Sequence, residues 1–343
     1  MIRSNRPVLR ALFVFLALAA QAAVQPPTLA TTLATTLATT MTAPENPDLN
    51  VRVPEAFARA VSPDAKVSKR AGGFRFTEGP VWWEGRWLFS DIPADRLVEM
   101  PAVELSGETT PKTFREPSHK ANGNTLDNAG NLITCEHDSR VVSITPPGGE
   151  RRVLVETFDG KAFNSPNDVV VKSDGTVWFT DPPYGLPGNR RAELMTYGGQ
   201  YVFAFDPAAG TVRPVATDFD MPNGLAFAPG EKRLYIADSG KPKHVRVFDV
   251  TDAGGLENGR VFCTIDQGAP DGIRTDAAGR LWVTAGDGVR VYDEAGVHLG
   301  TVLLPESPAN LAFGGPDGRT LLMTARTGVY TIETRATGRT TGR

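Results

Sequence analysis

Six times along this 343-residue chain the same short phrase returns: an oxygen-bearing polar residue, usually before Gly or Asp, then an apolar run, a turn and a second apolar run. The copies are Glu78-Gly79, Asn122-Gly123, Asn167-Asp168, Asn223-Gly224, Asp271-Gly272 and, in altered form, Ala309-Asn310. The steps between leading residues are 44, 45, 56, 48 and 38. The register is tight, because Asn122-Gly-Asn-Thr-Leu-Asp127 lies over Asp271-Gly-Ile-Arg-Thr-Asp276 position by position. A period of this size with strand-like content predicts an all-β, six-bladed β-propeller with four antiparallel strands per blade. The third copy shows the unit: Asn167–Val171 descends, Ser173-Asp174-Gly175 turns, Val177–Thr180 returns, and two further strands follow to Ala216, with Pro214 tolerable on the edge. The segment Ala65–Lys69, ahead of the first copy, is placed to give the last blade its outer strand and close the ring.

If the first strand of each blade lines the channel, every leading residue stands at one mouth. The loop after the second strand opens at the same mouth. Those loops carry Ser90-Asp91, Glu136-His137, Asp181–Tyr184, Asp238-Ser239, Gly286-Asp287 and Arg326. The stretch from Asp181 to Gly199 is the longest of them, and reads equally as a lid or as a long surface loop.

Five of the six leading positions hold side-chain oxygens: Glu78, Asn122, Asn167, Asn223 and Asp271. Five such donors converging on one axis suggest a divalent cation. Two carboxylates with neutral amides suit Ca²⁺, which takes many oxygen ligands in flexible geometry, and Mg²⁺ and Mn²⁺ stay open. Zn²⁺ is the weakest fit, since His119, His137, His244 and His298 show no ligand spacing. Asn and Asp also open strands as turn residues; Glu78 does not fit that explanation. His137 is a candidate to contact substrate, and Tyr184 to hydrogen-bond it or pack on the long loop. No Gly-x-Ser-x-Gly elbow surrounds Ser165, Ser239 or Ser307, and no Gly-x-Gly follows a strand-to-helix pattern.

The rest of the chain sets bounds. The net charge of −3 without a basic block argues against a nucleic-acid partner. Residues 1–23 have a basic start, a short apolar run and the small-x-small Ala20-Gln21-Ala22 of a cleaved secretory signal. Residues 24–50, with their Thr-Leu-Ala-Thr repeats, read as a low-complexity tether. The propeller is placed at 51–335 and a flexible tail at 336–343. The mature protein is therefore expected to be secreted or periplasmic, with no membrane association once the signal is removed. Cys135 and Cys263 lie in repeats that are not neighbours and are expected as free buried thiols.

Phe76-Thr-Glu78-Gly-Pro-Val-Trp82, Ser165-Pro-Asn167-Asp168, Phe179-Thr-Asp-Pro-Pro-Tyr-Gly185, Pro222-Asn223-Gly224 and Pro270-Asp271-Gly272 resemble the gluconolactonase/regucalcin (SMP-30) family over residues 70–332. The resemblance implies a calcium-dependent six-bladed propeller that hydrolyses sugar lactones. It implies metal ligation by Glu78, Asn167, Asn223 and Asp271. It makes Asp271, or a metal-activated water, the base or nucleophile, and leaves Asn122, His137 and Tyr184 to hold a small-molecule lactone. Some members carry Arg two residues before the third-blade Asn. Here that residue is Ser165, so no sugar preference transfers. A phosphotriesterase or non-sugar lactonase at the same mouth, or a non-catalytic ligand-binding propeller, are the rival readings. Oligomeric state is not legible.

Overall fold

The computed structural model describes residues 46–102 and 109–338. Six antiparallel four-stranded sheets stand in a ring, and the inner strand of the last contacts the inner strand of the first. The inner strands are Thr77–Trp83, Ala121–Leu126, Val169–Val171, Pro222–Phe227, Ile273–Thr275 and Asn310–Gly314. The protein is a six-bladed β-propeller, as the repeat predicted. The outer strand of the sixth blade is Ser68–Gly72, paired antiparallel with Gly328–Glu333, so the ring closes through the two ends of the domain. That closure leaves no unpaired edge between the first and last blades.

The second strand of each blade is buried on both faces, which is why its sequence reads as a continuous apolar run rather than an alternation. On Arg233–Asp238, Leu234 and Ile236 pack against the third blade while Tyr235 and Ala237 pack against the fifth. The core is accordingly six clusters, one between each pair of neighbouring blades. Trp87, Trp178 and Trp282 are the largest side chains buried in them. Cys135 lies between blades two and three and Cys263 between blades four and five; both are buried and free, as expected.

The ordered domain extends beyond the boundaries drawn from sequence at both ends. Leu49–Val51 adds a fifth strand to the fifth blade, pairing with His298–Leu303. A single helical turn, Pro54–Ala58, then seats Phe57 in the core between blades five and six. At the other end Ala277 N–H donates to the Thr337 carbonyl at 2.9 Å, and Gly338 bridges Asp276. The expected signal, the tether up to residue 45 and residues 339–343 of the tail lie outside the described residues. No described helix is long and apolar enough to cross a membrane.

Candidate active site

The leading residues of the repeats do meet at one mouth. Successive inner strands interlock there: the N–H of the second repeat residue donates to the carbonyl of the next blade's leading residue. Gly123 bonds Asn167 at 2.8 Å, Gly224 bonds Asp271 at 3.1 Å, and Gly272 bonds Ala309 at 2.7 Å. This close approach explains the Gly. A Cβ on Gly79, which has φ +51°, would lie 2.0 Å from the Asn122 carbonyl oxygen. The strand register slips just after the leading position in blades one, two and four. Such bulges re-aim a side chain, here toward the axis.

In blades one, three and four the loop that carries the leading residue is braced by the carboxylate ending the second strand. Asp91 accepts the N–H groups of Arg75 and Phe76; Asp181 accepts those of Asn164 and Ser165; Asp238 accepts those of Asp220 and Met221. The bonded residues are the third and second before Glu78, Asn167 and Asn223. Asp238 also accepts the Gly240 N–H and is buried, so this mouth carboxylate is a structural brace rather than a base. Burial pushes the Asp181 carboxyl up to about 8 against the pull of its two N–H donors.

Within the mouth is a cavity of about 220 Å³. Its polar lining is Glu78, Asn122, His137, Asn167, Asn223 and Asp271; Phe76, Ile92, Ala269 and Pro270 give it an apolar part, and Tyr184 lines it too. All seven residues singled out from the sequence thus line one cavity. The long third-blade loop contributes Tyr184 to this lining, and Gly185 packs on His137 and Ser165. Ser165 is fully buried, its hydroxyl donating to the Pro182 carbonyl and accepting from Gly185 N–H.

The charges in the mouth are unbalanced. Glu78 is buried; its Oε2 accepts only from Gly79 N–H at 2.6 Å and Asn310 Nδ2 at 2.9 Å. Burial first, then the charges of Asp271 and Asp168, raise its carboxyl well above the usual range. Burial and Asp168 push Asp271 up to about 7, against the pull of Asn223. One step deeper, Arg274 is held by another carboxylate: it donates from two nitrogens to Asp168 at 3.0 and 3.3 Å, across from blade five to blade three. His137, lowered to about 4 by burial, is neutral at physiological pH. Tyr184 is raised to about 12 by burial and by Asp271.

The neutral groups form a chain. Asn122 Nδ2 lies 3.1 Å from His137 Nε2 and donates to Asn167 Oδ1 at 2.5 Å. Asn167 Nδ2 donates to Asn223 Oδ1 at 2.7 Å, and Asn223 Nδ2 to Ser239 Oγ at 2.8 Å. Ser239 Oγ donates to the Pro270 carbonyl at 2.5 Å.

This donor set fits a hard divalent cation. Buried Glu78 and half-buried Asp271, neither in an ion pair among the described residues and with amide side chains between them, supply opposite charge and oxygen ligands together. No group of three His, Cys, Asp or Glu arranged for a metal occurs among the described residues, so the amides are needed for such a site.

Sequence reasoning missed Phe76, Ile92, Ser239, the Asp168–Arg274 pair and Asn310. One signal was available. Ile92, His137 and Ser239 each follow the residue that ends the second strand, so they form a second column of the repeat facing the same cavity.

Fold and site together define a closed propeller with a polar cavity at the mouth where its repeats begin. Residues 76–327 match the SMP-30/gluconolactonase/LRE-like region, and the chain belongs to that family. It is 31% identical over 294 residues to a gluconolactonase of Zymomonas mobilis, covering 78% of this chain and 81% of that protein. It is 29% identical to the pentonolactonase XacC of Haloferax volcanii, covering 74% and 82%. A solved structure described as a gluconolactonase of Xanthomonas campestris superposes with a TM-score of 0.76 at 29% identity, covering 84% of this chain and 96% of that one.

Proposed function

We propose that the protein is an exported, divalent-cation-dependent lactonase that opens a sugar lactone to its aldonic acid. The observation that carries this reading is the pair of carboxylates, buried Glu78 and half-buried Asp271, facing one cavity with amides between them and in no ion pair among the described residues. Relatives named for gluconolactone and pentonolactone hydrolysis support the substrate class. Glu78, Asn167, Asn223 and Asp271 would hold the cation, Ca²⁺ being the best match to oxygen donors of this kind. When bound, the cation supplies Lewis acidity to the lactone carbonyl.

The chain's own groups do the rest. Hydrolysis adds water to the carbonyl carbon, breaks its bond to the ring oxygen and returns a proton to the departing alkoxide. Asp271, in its ionised form, takes the proton from the attacking water at the carboxylate oxygen facing the cavity. Without a cation this carboxyl titrates at about 7; a cation beside it would bring that value down. Asn122 and His137 orient the substrate from the side of blade two. His137 stays neutral and bonds without adding charge. Tyr184, 39% exposed, borders the entrance and excludes water from one side.

The apolar lining of Phe76, Ile92, Ala269 and Pro270 favours a second reading, a lactone with few hydroxyl groups. Buried Ser165, where some relatives have Arg, offers such hydroxyls no guanidinium. A pH-stat screen decides between the two: aldonolactones, alkyl lactones and a phosphotriester, each with Ca²⁺ and with chelator. Cation-dependent turnover of aldonolactones supports the first reading, turnover of alkyl lactones alone supports the second, and turnover of neither class rejects both.

A further inference from the structure

An amide side chain has two faces of opposite polarity. A half-turn about its last bond exchanges an oxygen acceptor for an N–H donor. For a cavity that is to receive a cation, that choice decides whether Asn167 and Asn223 attract it or repel it. Something must therefore set the direction of the hydrogen-bond chain through Asn122, Asn167 and Asn223.

The His137 end leaves the direction open. Its Nε2 accepts in one neutral tautomer and donates in the other, so it can serve Asn122 in either orientation. The Ser239 end is different. The Pro270 carbonyl only accepts, so the Ser239 hydroxyl proton is committed to it at 2.5 Å. Ser239 Oγ then has only lone pairs left for its other neighbour, and Asn223 must present Nδ2, at 2.8 Å. That turn places Asn223 Oδ1 toward Asn167 Nδ2, which in turn places Asn167 Oδ1 toward Asn122 Nδ2. This hydroxyl, together with the Asp271 carboxylate that also accepts from Asn223, thus orders three amides. It is itself fixed, because Ser239 N–H donates to the Met221 carbonyl at 3.0 Å and the preceding Asp238 is held by three N–H groups. The carbonyl it grips belongs to the residue before Asp271, so the same bond ties the fourth-blade loop to the fifth-blade carboxylate.

We propose that Ser239 is the positioning residue of the site: by donating to the Pro270 carbonyl and accepting from Asn223, it sets the polarity of the amide chain and turns its oxygens to the cation position. This inference rests on the cation-dependent reading above, and goes beyond it by assigning the group that prepares the site before the ion arrives.

The test is calorimetric titration of chelator-treated, desalted full-length protein with CaCl₂, comparing wild type, Ser239→Ala and Ser239→Thr. Thermal unfolding of each in chelator runs alongside. Ser239→Ala leaves a buried N–H of Asn223 without its acceptor and removes one of the two groups that fix the chain's direction. Its Ca²⁺ affinity is expected to fall about ten- to a hundredfold, the scale of one such unsatisfied group. Ser239→Thr, which keeps the hydroxyl, is expected to restore it, while the melting temperatures in chelator stay close together. Should Ser239→Ala fail to fold, Ser239→Cys takes its place, since a thiol fills similar space but accepts poorly. Wild-type affinity in the hydroxyl-free variant overturns the proposal. So does a loss that Thr does not rescue, or one matched by an equal fall in melting temperature in chelator. A wild type that binds none of Ca²⁺, Mg²⁺, Mn²⁺ or Zn²⁺ rejects the cation reading itself, and this proposal with it.

Discussion

Asp271→Asn is expected to make the cation-free protein more stable and the enzyme nearly inactive, and the stability half of that expectation has a worked magnitude. The Asp271 carboxyl stands at about 7 in the fold against an ordinary 3.8, through burial and the charge of Asp168. A folded-state value above the unfolded one means that its stabilising contribution is complete below about 4 and lost as pH rises through 7. At pH 8 the ionised side chain therefore costs the cation-free fold about 4 kcal/mol, at 1.36 kcal/mol for each pH unit. At pH 5 the cost is about 2 kcal/mol by the same relation. Asn has the shape of the protonated acid and no charge to bury. In chelator at pH 8 the variant should melt about 5–10 °C above wild type, taking a domain of this size, and the gap should shrink at pH 5. Glu78, whose carboxyl Asp271 helps to raise, should be easier to ionise in the variant. Lactone hydrolysis at saturating Ca²⁺ should meanwhile fall by about 10²–10⁴, the scale of a lost general base. Differential scanning fluorimetry in chelator at the two pH values, with pH-stat rates corrected for spontaneous opening, measures both. A variant no more stable than wild type at pH 8 refutes the charge argument, and one with full turnover refutes the catalytic role.

Arg274→Met should cost about 3–5 kcal/mol in urea unfolding, because it leaves Asp168 charged and buried, and adding Asp168→Asn should recover most of it. Asp238→Ala should lose about 1–3 kcal/mol of stability, since three backbone N–H groups lose their acceptor, while keeping far more turnover than Asp271→Asn at a temperature where both are folded. If residues 1–23 are a cleaved export signal, intact mass of the exported protein should place its first residue near 23, and an unprocessed Met1 on soluble cytosolic protein would sink that expectation.

The ring was legible because a propeller repeats its chemistry along with its strands. A leading residue that recurs in five copies as an oxygen donor marks both the blade boundary and the mouth, and Glu78, Asn122, Asn167, Asn223 and Asp271 all stand where that logic put them. The strand closing the sixth blade was legible as an element, although the repeat put it at Ala65–Lys69 and it runs Ser68–Gly72, three residues later. The fifth strand at Leu49–Val51 was not, since it lies outside the repeat and follows a low-complexity stretch; only the facing edge of His298–Leu303 gives those three residues a reason to be extended. Ser239 was in view but was tested as a nucleophile, and its role depends on a carbonyl one blade away.

What no single repeat could show is how differences between copies combine on the axis. The second repeat position is Gly in four blades because neighbouring backbones leave no room for a side chain. It is Asp168 in the third blade and Asn310 in the sixth, opposite members of a six-fold ring. Asn310 uses its place to donate to Glu78 Oε2, so the blade that lost its leading oxygen donor, at Ala309, supports the carboxylate of the next blade instead. Asp168 adds a negative charge beneath the mouth, raising both Glu78 and Asp271, and Arg274 reaches across the channel to hold it. The departures from the repeat thus account for the electrostatics of the site, whereas the repeat itself accounts only for where the ligands stand. Drift that merely eroded a sixth ligand would not place a donor against Glu78 in the same blade. The pairing of Ala309 with Asn310 therefore argues that the sixth blade serves the site by orienting Glu78 rather than by adding an oxygen to it.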